Sequence, residues 1–442
     1  MLGKKVIILG GGLVGSLMSI FLAKRGYEVS VFEKRGDPRQ EGSLGGRSIN
    51  LALSDRGLLA LQKAGIGAAL DRVMVPMKGR MIHPLNLPNN FQPYGKSSQA
   101  INSVSRELLN ELLISEAEKS GAHFMFGHKC EAVDIDANSA TFDTKGDLVV
   151  HKADLLLGAD GAYSTLRSAL QRSDRFSYSQ EYIPHGYKEL NIAPGKDGDF
   201  QLEPHALHIW PRGQFMLIAL PNTDKSFTCT LFLPFEGKLS FASLDTAERI
   251  RAFFKELFPE IISLIPDITE QFFANPTSSL VTIHCHPWSK NRCLLIGDAA
   301  HAIVPFYGQG MNAGFEDCRL FIKMLDHNPS SWEALVSDFS NSRKNDTDAI
   351  AKLALDNFIE MRDKVSDPGF LWQKKIEARL YDRYPDKWIP LYSMVTFSHM
   401  PYHKALEIGQ KQESIMLKIR EVYPMSTPPE AIDLEKIVDM LD

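Results

Sequence analysis

The 442-residue sequence predicts an α/β fold in which nucleotide-binding α/β segments are interleaved with a mainly antiparallel β-sheet domain, followed by a C-terminal helical region. Three observations carry this. The apolar run Val6-Ile7-Ile8-Leu9 enters a glycine-rich turn and then a helical pattern from Ser16 to Arg25. Alternating apolar runs such as Ala206 to Trp210 and Phe227 to Leu233, punctuated by Pro184, Pro194, Pro211, Pro221 and Pro234, read as antiparallel strands and turns. From residue 327 onward helical patterns dominate. With 44% hydrophobic and 23% charged residues, the chain has the composition of a folded globular protein. Its 49 Lys and Arg against 54 Asp and Glu, interspersed along the chain, attract no polyanion, which argues against nucleic-acid binding.

The first turn is Gly10-Gly11-Gly12-Leu13-Val14-Gly15. A lone G-x-G-x-x-G is weak, but here Gly26 stops the helix, Tyr27 to Phe32 supplies a second strand, and Glu33 ends it at about the expected 20 residues past the glycines. That context reads as a dinucleotide site, with a ligand-free glycine turn as the alternative. Gly10 allows the tight turn, Gly12 lets the backbone approach a pyrophosphate, and Gly15 lets the helix pack on the sheet, with the helix N-terminus facing the phosphates. Glu33 accepts from ribose hydroxyls and would repel a 2′-phosphate, so this site suits FAD or NAD rather than NADPH.

Two later segments favour a flavin. Cys293 to Asp298 is a short apolar strand ending in an acid, followed by Ala299 to Asn312 and a helical pattern through Leu325. A flavin needs an acceptor along its ribityl chain and a positive helix end near the pyrimidine side of its ring. Leu155 to Gly158 leads into Ala159-Asp160-Gly161 and a helix start before Arg167, where Asp160 by itself reads as a turn or cap residue. The map is therefore interleaved: 1–75, 98–175 and 284–326 form the nucleotide-binding domain, 76–97 and 176–283 the substrate sheet, and 327–442 the helical region closing the pocket.

Other signals are set aside. Five scattered cysteines without a C-x-x-C pair encode neither a disulfide framework nor a zinc knuckle. His284 and His286 alternate on a strand but lack a third ligand at zinc-like spacing, so no metal is expected. Glu316-Asp317 and Asp346 with Asp348 read as solvated helix positions. His301 and Tyr307 receive no role. The opening apolar run is too short for a signal-peptide core and no stretch approaches a membrane span, so a cytoplasmic protein is expected.

Together these segments resemble the single-component FAD-dependent aromatic hydroxylases of the p-hydroxybenzoate hydroxylase type, whose glycine-rich, DG and GD motifs match Gly10 to Gly15, Asp160-Gly161 and Gly297-Asp298 in order. The stretches Gly46 to Ser54, Arg80 to His83, His185 to Leu190, Pro305 to Asn312 and Leu391 to Ser398 resemble the kynurenine-hydroxylating branch of that family, over nearly the whole chain. The resemblance implies a Rossmann-like FAD-binding domain whose cofactor meets Gly10, Gly12, Val14, Gly15, Glu33, Ala52, Arg106, Asp160 and Asp298, with Met311 and Asn312 offering backbone to the isoalloxazine. It implies that Arg80, Tyr94, Asn357 and Tyr392 grip the substrate, beside an apolar wall for which Phe232, Pro305 and Phe306 are candidates. The implied reaction uses NADPH as transient co-substrate and O2, and proceeds through a flavin 4a-hydroperoxide. It converts L-kynurenine to 3-hydroxykynurenine in tryptophan degradation and pyridine nucleotide biosynthesis, with no residue assigned as acid or base.

Taken without the resemblance, a lone Arg reads as a surface residue, a Tyr as packing, and Asn357 as a polar helix position. The charged C-terminal stretch resembles soluble bacterial members that have no membrane anchor, and a homodimer stays open. The competing functions are a hydroxylase of the same fold for another aromatic acid and a non-catalytic flavin-binding regulatory module.

Overall fold

Strand Lys5–Leu9 is the centre of a parallel sheet because both its faces are covered: Val6, Ile7, Ile8 and Leu9 are all buried. It pairs with Leu155–Gly158 on one side (Val6 opposite Leu155) and with Glu28–Glu33 on the other (Ile8 opposite Val31). Cys293–Leu295 and His123–Phe126 extend the sheet in parallel, and the short Ser289–Lys290 adds an antiparallel edge, giving six strands. The three segments that the sequence assigns to the nucleotide-binding domain thus meet in one sheet, packed under the helices Leu13–Ala23, Arg106–Lys119 and Gly310–Leu325. This computed structural model describes residues 2–41, 50–95, 99–361 and 367–441; residues 46–49 of the stretch Gly46 to Ser54 lie outside them.

A seven-stranded sheet forms the second layer, in the order Ser278–His286, Ser177–Ile192, Phe227–Pro234, Phe215–Pro221, Ala206–Arg212, Gly79–Ile82, Asn90–Pro93. All its pairings are antiparallel except that of Ala206–Arg212 with Gly79–Ile82. Strand Ser278–His286 belongs to this sheet throughout, so the chain changes layers just after His286 rather than at 284. The period of two in a strand sends successive side chains to opposite faces. Phe215, Leu217 and Ala219, with Phe227, Cys229, Leu231 and Leu233, therefore pack against the helices Ala247–Leu257 and Ile268–Ala274. Met216 and Phe232 face the other way, toward Phe306 and the long helix Trp332–Ile359. That helix, with Leu391–Thr396 and Tyr402–Val422, closes the open side of the sheet.

One expectation is corrected here. Glu316, Asp317 and Asp346 are not solvated: they are 3%, 0% and 9% exposed and form a buried ion-pair cluster with Arg56 and Arg343. Both sides of helix Gly310–Leu325 are covered, so neighbours pointing in different directions are buried alike. Asp348 remains half-exposed, paired with Lys344 and His284. Among the described residues no group of histidines, cysteines and acids is arranged to hold a metal.

Candidate active site

The glycine turn is shaped by steric need. Gly10 has φ +97°, and a Cβ there would lie 2.5 Å from the Ala159 carbonyl oxygen; a Cβ on Gly15 would lie 2.0 Å from the Gly10 oxygen. Gly12 differs, since a Cβ on it would meet nothing within 4 Å. The open space lies at the start of helix Leu13–Ala23, whose first N–H groups have no side-chain cap, an arrangement suited to a phosphate. Glu33 reaches back to this turn, its carboxylate accepting from Gly11 N–H at 2.8 Å and Arg35 N–H at 3.0 Å.

A cavity of about 320 Å³, within the range of small-molecule sites, runs from this turn into the second layer. The nucleotide-binding segments contribute Gly12, Val14, Ala52, Arg106, Asp298 and Met311 to its wall. The seven-stranded sheet and the residue just past its edge strand Asn90–Pro93 contribute Arg80, Tyr94, Met216 and Phe232, the 305–307 turn contributes Pro305, Phe306 and Tyr307, and the C-terminal region contributes Met361 and Tyr392. Gly10, Gly15, Glu33, Asp160, Asn312 and Asn357 do not line it.

Those six have other placements. One oxygen of the half-buried Asp160 carboxylate accepts from Thr165 N–H at 2.7 Å and Leu166 N–H at 3.4 Å, which starts the helix Thr165–Leu170; the other is shielded from water, and desolvation raises the carboxyl's pKa. Asn312 uses its side chain as a clamp, accepting from Ser54 N–H at 3.0 Å and donating to the Ala52 and Gly308 carbonyls at 2.8 Å each. Its neighbour Met311 stands in the first turn of helix Gly310–Leu325, which has no side-chain cap. Asn357 stands behind the wall and donates to the Phe306 carbonyl at 2.7 Å. It fixes a wall residue rather than facing the cavity.

Around Arg80 the wall is aromatic. Its guanidinium carbon lies 4.5 Å from the Tyr392 ring centre and 5.6 Å from that of Tyr94, and Tyr392 is stacked between Tyr94 (5.6 Å, 15°) and Tyr307 (5.5 Å, 21°). Burial disfavours the Arg80 charge, but Tyr392, Tyr94 and Glu360 more than offset this and hold its pKa above the usual value. Burial pushes the Tyr94 and Tyr307 phenols up, so both are neutral donors. Arg80 Nε is shielded from water yet has no hydrogen-bond partner among the described residues. An unmatched donor in such a place fits an anion.

The chain matches the family model for an FAD binding domain over residues 4–330. It is 48% identical to the kynurenine 3-monooxygenase of Flavobacterium psychrophilum across 99% of both chains, and 45% identical to that of Dictyostelium discoideum across 94% of this chain and 93% of the relative. The chain belongs to the kynurenine 3-monooxygenase family. It is thus an FAD-dependent monooxygenase. Solved structures similar in fold include 2-methyl-3-hydroxypyridine-5-carboxylic acid oxygenase, with a TM-score of 0.68 at 20% identity over 86% of this chain and 97% of that one. Pseudomonas aeruginosa PqsL in complex with 2-aminobenzoylacetate has a TM-score of 0.66 at 18% identity over 81% and 97%. Within this kynurenine 3-monooxygenase family fold, Met216, Tyr307 and Met361 are wall residues that the sequence did not single out; for Tyr307, its place between Phe306 and Gly308 in the quoted loop was the available signal.

Proposed function

We propose that this protein uses NADPH and O2 to hydroxylate L-kynurenine to 3-hydroxykynurenine. The observation that carries the reading is Arg80, whose Nε has no hydrogen-bond partner among the described residues, beside the buried Tyr94 and the Tyr392 phenol in an aromatic-walled cavity that is continuous with the glycine turn. A guanidinium fork matches a carboxylate, and the neutral Tyr94 phenol adds a donor.

The open space at Gly12 and the uncapped helix ends fit FAD, which when bound supplies oxygen activation and transfer to the ring. In this assignment Gly10, Gly12 and Gly15 shape the pyrophosphate turn, Glu33 takes ribose hydroxyls, and Arg106 serves the phosphate or ribose region. Val14 and Ala52 flank the cofactor, Asp160 orders the DG turn, and Asp298 accepts from the ribityl chain. Met311 and Asn312 would offer backbone to the isoalloxazine, and the positive end of their helix would favour negative charge there. Arg80, Tyr94 and Tyr392 hold the amino-acid end of the substrate, while Asn357 steadies Phe306. Phe232, Pro305 and Phe306 exclude water and orient the ring. The ring's own amine supplies electron density, so no protein base is assigned.

We further propose that 1–75, 98–175 and, with the boundary moved from 284 to 287, 287–326 act as the cofactor domain, 76–97 and 176–286 as the substrate sheet, and 327–442 as the pocket's closure. No helix among the described residues is long and apolar enough to cross a membrane, and the five cysteines are free, which supports a reducing, cytoplasmic location. The test is NADPH oxidation in air by the FAD-loaded protein with and without L-kynurenine. Kynurenine-stimulated oxidation with 3-hydroxykynurenine as product is expected. A response to other aromatic acids but not to kynurenine overturns the substrate, and none to any overturns the reading.

A further inference from the structure

Behind the cavity wall lies the buried charge cluster, which no step above uses. Asp317 is at its centre and fully shielded. One carboxylate oxygen accepts from Gly297 N–H at 3.1 Å and from His301 Nε2 at 2.6 Å; the other accepts from Arg343 Nε at 2.9 Å. Gly297 and His301 are the two ends of the short segment carrying Asp298, so a single oxygen ties down both ends of the turn that places Asp298 in the cavity wall. Gly297 holds φ 59° and ψ −142°, outside the usual basins of other residues, and a Cβ there would lie 3.0 Å from Val14. Such a turn persists only where its surroundings dictate it.

Asp317 also sits on helix Gly310–Leu325, whose first turn brings Met311 to the same cavity. Two cavity-facing groups from separate segments are therefore held in register through one side chain. Arg343 carries the connection onward, donating to Asp346, which in turn accepts from His403 N–H at 3.1 Å. His301 and Arg343 outweigh the burial of Asp317 and keep its carboxyl below the usual range, so it is an acceptor for all three donors. Buried ion pairs are seldom more stabilising than apolar packing of the same volume. The directed bonds to Gly297 and His301 give this one a different use.

We propose that Asp317 is a positioning residue for FAD, fixing the Gly297-Asp298 turn against the helix that carries Met311. Asp317→Asn keeps the shape but sets an amide donor against either Arg343 or the Gly297 and His301 donors. Asp346→Asn is the matched control, because Asp346 lies in the same cluster and touches neither Gly297 nor His301. Apoprotein of each is titrated with FAD by flavin fluorescence, alongside its Tm and the absorbance and circular dichroism of bound flavin. Wild-type protein titrated in parallel separates failure of FAD binding itself from failure of this inference.

The expected result is a Kd for FAD raised about 10- to 100-fold in Asp317→Asn, from hydrogen bonds to a charged group lost at the turn, with altered flavin bands. Asp346→Asn should lower Tm with Kd within about twofold of wild type. Equal weakening by both variants, or unchanged Kd and spectrum in Asp317→Asn, overturns the proposal. Should Asp317→Asn not fold, His301→Phe retains the ring beside Trp288 and removes only the bond to Asp317. A raised Kd with shifted flavin bands then supports the proposal, and unchanged values overturn it.

Discussion

Replacing Arg80 with Met keeps most of the side chain's length and removes its charge. In the proposed complex the guanidinium makes two charge-assisted hydrogen bonds to the substrate carboxylate, each contributing about 1.5–3 kcal/mol. Arg80 opens into the cavity on one side, so solvent screening discounts the pair, leaving roughly 2–4 kcal/mol in total. At 1.4 kcal/mol per tenfold, kcat/KM for L-kynurenine should fall roughly 30- to 700-fold. The contact is made equally in ground state and transition state, so the loss should appear in KM with kcat less affected. The variant also loses the packing of the guanidinium over the Tyr392 and Tyr94 rings, so its stability should fall by only about 0.5–2 kcal/mol, and FAD affinity should not change. The assay is steady-state formation of 3-hydroxykynurenine over a range of kynurenine concentrations, with FAD titration beside it. A KM within about threefold of wild type would refute the role of Arg80.

Gly12→Ala and Gly15→Ala should separate binding from folding: the first meets no protein atom, so it should weaken FAD binding at unchanged apoprotein Tm, whereas the second strikes the Gly10 oxygen and should destabilise by about 1–3 kcal/mol in thermal unfolding. Glu189, pushed up to about 7 by burial against the opposing pull of Arg106, binds its proton more tightly folded than unfolded. Its contribution is present below the ordinary carboxyl pKa and lost as pH rises through about 7, so wild-type Tm minus that of Glu189→Gln should fall between pH 5 and 8. Arg56→Ala removes the 2.7 Å partner of the buried Glu316 but leaves it Arg319 and Arg343, so it should cost about 1.5–3 kcal/mol in denaturant unfolding, while Arg249→Ala at an exposed pair should cost under about 1 kcal/mol.

The parts legible in the sequence are those whose physics is local. The glycine turn, the stop at Gly26 and the acid at Glu33 lie within one strand-helix-strand unit, and alternation along Phe227–Pro234 is enough to place Phe232 opposite Leu231 and Leu233. Arg80, Tyr94 and Tyr392 could be grouped only by resemblance, since three separate segments bring them together. The acids of helix Gly310–Leu325 were misread because local spacing says which residues face one another, not what covers each face. Glu316 meets Arg56 from a helix near the N-terminus, and Asp317 meets Gly297, His301 and Arg343. Asn357 was offered by resemblance as a substrate contact; its bond to the Phe306 carbonyl depends on how the long helix crosses the 305–307 turn, which no local pattern encodes.

The most direct test of the central claim is turnover of L-kynurenine with NADPH under isotopically labelled dioxygen, followed by mass spectrometry of the product. The expected product is 3-hydroxykynurenine carrying one labelled oxygen atom, formed only when FAD, NADPH and kynurenine are all present. Kynurenine recovered unchanged while NADPH is consumed, or a product whose new oxygen comes from water, would contradict that claim.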